Sequence, residues 1–185
     1  MATPSDDHLL AFGRIIHNFA TVETGIKIAL SGVLKIRLAD ALVAFEPYGA
    51  VDLKNVAKSL AKESLEPSLA QRLCCITGDW AAFNALRNII AHSRWTEVDC
   101  PPGSIKPRGY SIREGRAKQI GMDPSETTYT APELEAEAER LRVINDRLKK
   151  FLQETGLSTA IWQKIEEASS DMSEPSGSET KQGAK

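Results

Sequence analysis

Arg87, Asn88 and His92 stand inside one otherwise apolar segment, LRNIIAHSRW (Leu86 to Trp95). Their side chains are a set that can act on a phosphodiester. An arginine fork grips two phosphate oxygens and holds the charge that grows on them. A histidine exchanges protons near neutral pH, so it can take one from a nucleophile or give one to a leaving oxygen. This chemistry needs no metal or cofactor. The sequence also lacks metal-ligand spacing: Cys74 and Cys75 are adjacent and Cys100 stands alone, without a C-x-x-C pair.

The segment reads as the end of a helix that begins at Glu66–Pro67 and carries the stripe Leu73, Ile76, Trp80, Phe83, Arg87, Ile90, Arg94. At about 100° per residue, Arg87 falls inside that stripe, and Asn88 and His92 share its flank. Arg87 and His92 are about 140° apart on a straight helix. They serve one pocket only if the arginine reaches around or a second copy of the helix brings its own set alongside, so the spacing hints at a dimer. An arginine in an apolar seam requires an acid or an anionic ligand. The protein candidate is Glu23, alone in the seam of the first helix, which would pair Arg87 or Arg94 and fix helix register.

The positioning elements are helical. A first long helix starts near TPSD, with Thr3 as cap, and carries Leu9, Phe12, Ile16, Phe19, Ile26, Leu30 and Val33. Two shorter helices follow, one with Leu38, Leu42 and Phe45 on a face, the next with Val51, Val56 and Leu60. TAPE opens the last long helix with Thr130 and Glu133 in capping-box spacing. Its face is Leu134, Ala138, Leu141, Leu148 and Leu152, and Gly156 is its stop. Between them, about 96–130 is punctuated by CPPG and PRG, and Ile105, Tyr110 and Ile112 read as a short β-hairpin. The expectation is an all-α bundle of four to five helices over 1–156. It carries a hairpin-like or irregular insertion before the last helix and a C-terminal extension (157–185) that is disordered from about 169.

Composition bounds the rest. A chain of 185 residues with a formal net charge of −2 is one ordinary globular domain rather than an overall basic nucleic-acid binder. Charge is uneven, however: Arg87 to Lys118 holds seven basic and three acidic residues. Arg94, Lys106, Arg108, Arg113 and Arg116, with Tyr110 among them, read either as a strip suited to an RNA backbone and one stacked base or as the ordinary surface charges of a solvated hairpin. No apolar run reaches the roughly 20 residues of a membrane span. The acidic start MATPSDDH is unlike a secretory signal, so the expected setting is cytoplasmic, with no membrane association.

Arg87-Asn88-x-x-x-His92, late in a long amphipathic helix of a small helical domain, resembles the R-x4-6-H motif of the HEPN superfamily (higher eukaryotes and prokaryotes nucleotide-binding). LRNIIAH, the RIIHNFATVE stretch of the first helix and the irregular insert before the last helix add to the likeness to bacterial members. The resemblance implies a homodimer lining one cleft with two motifs, and a metal-independent endoribonuclease of toxin or antiviral-defence type. An inhibitory or defence-system partner protein belongs with that implication. Carried over, His92 is the acid/base, Arg87 the phosphate clamp and Asn88 the residue that orients ring or phosphate. The alternative is a non-catalytic scaffold of the same family, in which an Arg/Glu pair is structural.

Overall fold

Two long helices, α1 (Asp6–Leu34) and the last, α6 (Ala131–Thr155), lie side by side and carry the rest of the fold in this computed structural model, which describes residues 4–98, 101–108 and 127–157. Thr3 and the extension beyond Leu157, including the tail from about 169, lie outside the described residues.

Helix α1 starts two residues later than the TPSD reading, with Ser5 as N-cap. Asp6 and Asp7 fill its first turn, where the unsatisfied N–H groups favour negative charge. Lys35 closes it in the left-handed region (φ 56°), its N–H donating to the Gly32 carbonyl. Helix α6 has the expected capping box. The Glu133 N–H donates to Thr130 Oγ1, and the Glu133 carboxylate accepts from the Thr130 N–H at 2.8 Å. The Thr130 N–H, and after it the Thr130 hydroxyl at 2.9 Å, hold the Glu133 carboxyl below its ordinary range. Gly156 stops the helix at φ 67°.

The two helices meet closely because Gly25 has no side chain: a Cβ there would come within 2.7 Å of a methyl of the buried Leu148. Asn18 Nδ2 donates to the Ala138 carbonyl across the same seam, and Arg14 pairs Glu135 at its edge. The buried face of α1 is Ala11, Ile15, Phe19, Val22, Ile26 and Leu30. Leu9 is exposed, and Phe12 and Ile16 are half-buried. Leu9–Leu10 and Ile15–Ile16 offer two apolar residues per turn, and a three-four period alone does not select between them.

Helices α2 (Leu38–Phe45) and α3 (Ala50–Ser64) follow, then α4 (Pro67–Ala82) and α5 (Asn84–His92). α3 faces α4 with Ala50, Leu53, Ala57 and Ala61, not with the bulkier Val51, which is exposed. Alanines permit close approach of the two helix backbones, and their burial was invisible to a count of large hydrophobes. In α2 likewise Ala41 and Phe45 are buried and Leu42 is partly exposed. α4 buries Leu73, Ile76 and Trp80 as the stripe requires. The expected single helix through Trp95 is interrupted at Phe83 (φ −78°, ψ −7°), which caps α4 and begins α5. Counting α4 and α5 as one broken helix, five helices make the bundle.

The insertion begins as strand β1 (Arg94–Val98), which pairs antiparallel with β2 (Ser104–Arg108), and β2 with the short β3 (Tyr129–Thr130). The hairpin therefore joins 94–98 to 104–108; Tyr110 and Ile112, expected within it, lie outside the described residues. It is not a loose appendage. Ile105 is 1% exposed in the core, and Trp95 stacks on Phe12 (4.7 Å between centroids) and meets Tyr129 edge-on. No helix of the described residues is long and apolar enough to cross a membrane.

Candidate functional site

Phe19, at mid-α1, is the platform on which the site is built. Trp80 from α4 lies 4.9 Å from its ring, is fully buried and donates its indole N–H to the Phe19 carbonyl at 3.1 Å. The Arg87 guanidinium from α5 stands over the same ring at 5.7 Å, within cation–π range. Arg87 and Trp80 thus face α1 together despite the break at Phe83. Sequence reasoning put Phe19 in the core stripe and missed it as the arginine's support. An aromatic in the seam of a neighbouring helix was the available signal.

Arg87 is half-buried, and its Nη1 donates to Asn88 Oδ1 at 2.8 Å. Asn88 therefore orients the guanidinium by holding one of its donors, a partner other than the ring or the phosphate that the resemblance implied. His92 is the last residue of α5 and is exposed. Both residues lie on the same nine-residue helix, where five positions separate them by about 7.5 Å of rise and 140° of turn. Asn88 and His92, four apart, share a face.

The expected pairing of Glu23 with Arg87 or Arg94 does not occur. Glu23 takes Lys27, one helical turn along α1, at 2.9 Å. The Lys27 side chain is only 8% exposed, and Glu46 also approaches its amine at 3.7 Å. A buried ammonium requires a carboxylate more than a half-buried guanidinium does. Glu23→Ala is accordingly expected to cost about 1–3 kcal/mol by stranding that charge, less than a full buried-pair break because Glu46 remains. Lys27→Met, which removes the charge itself, should cost less than Glu23→Ala. Thermal melts of the two variants check the order.

Arg94 is not a helix-seam residue. The helix ends at His92, Ser93 is extended (φ −96°, ψ 151°), and Arg94 opens β1 in an exposed position. Arg94 lies opposite Arg108 in the ladder, and Thr96 opposite Lys106. Tyr110, Arg113 and Arg116 lie outside the described residues.

One contrast sets this region apart. Arg14, Arg37, Arg72, Arg140, Arg142 and Arg147 each pair a carboxylate. Among the described residues, no carboxylate pairs with Arg87 or Arg94, the two arginines that flank His92 in sequence. No group of three or more His, Cys, Asp or Glu is placed to hold a metal ion among the described residues. No family model matches the chain, and no curated protein or solved structure matches it either.

Proposed function

We propose that this protein is a HEPN-type endoribonuclease that works as a homodimer without a metal ion, in a toxin or defence role that an inhibitory partner protein can hold in check. The observation that carries the reading is Arg87. It is a half-buried guanidinium, supported by Phe19 and aimed by Asn88, with no carboxylate among the described residues to neutralise it. Such a cation is stabilised by an anionic ligand, and an exposed histidine ends the same helix.

In the proposed reaction the 2′-oxygen attacks the adjacent phosphorus and the P–O5′ bond breaks. A histidine accepts the 2′-OH proton, and a proton is delivered to the departing 5′-oxygen. Arg87 holds the non-bridging oxygens as negative charge accumulates on them. The products are a 2′,3′-cyclic phosphate and a 5′-hydroxyl. Because one helix sets Arg87 and His92 about 140° apart, a second copy is required to complete the set around one phosphate.

A second reading is favoured by the packing of Arg87 on Phe19: a non-catalytic scaffold in which that contact serves the fold. RNA incubated with the purified protein in EDTA separates the two. Fragments ending in a 2′,3′-cyclic phosphate are expected, and RNA that stays intact at every protein and salt concentration would remove the nuclease reading.

A further inference from the structure

Cations continue away from His92 along the hairpin. From His92 the chain runs extended through Ser93 into β1, so Arg94 lies about 6.6 Å further on. Two-residue alternation places Arg94 and Thr96 on one face of β1, with Lys106 opposite Thr96 and Arg108 opposite Arg94 in the register. The other face holds Trp95 and Ile105 against the core, and Glu97, the acid within the two strands, alternates with Arg94 rather than joining it. Neither Arg94 nor Lys106 has an ion pair among the described residues, whereas arginines elsewhere are matched with acids.

We infer that this face of β1 and β2 tracks the phosphates of a single-stranded RNA leading into the Arg87–His92 site, an inference that rests on the nuclease reading. The step between cations along the ladder, one same-face residue of about 6.6 Å, is close to the separation of successive phosphates in an extended strand. The chemistry points the same way. Attack by the 2′-oxygen requires it to stand in line with the departing 5′-oxygen, and stacking in an A-form duplex holds the ribose away from that alignment. A surface beside the scissile group therefore serves a strand free of its complement. Its cations hold the neighbouring phosphates while the reacting nucleotide turns.

The test uses the full chain and a double variant, Arg94→Gln with Lys106→Gln, on surface positions outside the core. Binding is read by anisotropy in a His92→Ala background, with a short labelled mixed-sequence single strand and its blunt duplex. The double variant should raise Kd for the single strand about tenfold. It should also flatten the salt dependence by about 1.4, or roughly 0.7 per lost phosphate contact. With His92 restored, KM should rise while kcat holds. Unchanged Kd and salt slope would overturn the inference, even with cleavage abolished by His92→Ala, which upholds the nuclease reading. Equal affinity of His92→Ala protein for the duplex, or for polyglutamate, would overturn it too. If the wild-type chain cleaves nothing yet binds single strands through Arg94 and Lys106, the surface assignment stands and the nuclease reading falls.

Discussion

His92→Ala is expected to lower kcat for RNA cleavage by about 10²–10⁴-fold, the usual contribution of a positioned acid or base, with almost no change in melting temperature. The side chain is exposed at the end of α5, outside the core, and substitutions at such places stay within about 0.5 kcal/mol. Arg87→Ala should also cost about 10²–10³-fold in kcat, as the loss of a donor to the developing oxyanion does. Its melting temperature should fall modestly, because the Phe19 and Asn88 contacts go with it. Arg87→Lys keeps the charge and discards the planar fork, so it should restore stability better than rate. The scaffold reading expects another order: Arg87→Ala lowers stability, His92→Ala does nothing, and no variant differs in its effect on RNA. Mixing supplies an independent check. If two subunits complete each site, adding His92→Ala chains to wild type should depress activity more than dilution does. Strict proportionality to the wild-type fraction would count against a shared site.

Much of the scaffold could be read from side-chain type. Thr130, Glu133 and Gly156 delimit α6 because capping is local chemistry that no distant contact overrides. Leu73, Ile76 and Trp80 are buried as their period demands. The misreadings have a common origin in choices that local patterns leave open. Leu9 and Val51 are large, apolar and exposed, while Ala11, Ala50, Ala57 and Ala61 are buried. Small residues take the closest helix contacts, and hydrophobicity alone ranks them low. The break at Phe83 carries neither proline nor glycine, so nothing in the spacing marked the boundary between α4 and α5.

The candidate site divides in the same manner. Arg87, Asn88 and His92 were legible because their spacing on one helix is itself geometry, and α5 contains all three. The partner of Glu23 was not. Seam position alone could not show that Lys27, on the same helix, has its amine in the interior and competes for that carboxylate. The change from helix to strand at Ser93 moved Arg94 from the bundle seam to the exposed start of a ladder, opposite a second arginine. That shift turns a residue expected to meet Glu23 into one available to an external anion.

Trp80→Ala is expected to be the most damaging single substitution to stability, at about 3–5 kcal/mol, the range for truncating a large buried aromatic. The ring is fully buried, stacks on Phe19 and spends its indole N–H on the Phe19 carbonyl. Trp80→Phe retains much of the volume and loses the hydrogen bond, so a cost of about 1–2 kcal/mol is expected. Denaturant melts at constant slope measure both. The consequence for the site is separate from stability. Trp80 fixes Phe19, and Phe19 supports Arg87, so kcat measured well below the melting transition should fall in Trp80→Ala. In a double-mutant cycle with Arg87→Ala the two losses in activity should add to less than their sum, because the second substitution removes an arginine already displaced. Full additivity would show that Arg87 is held by its own helix and by Asn88 alone, and that the aromatic pair between α1 and α4 serves only the core.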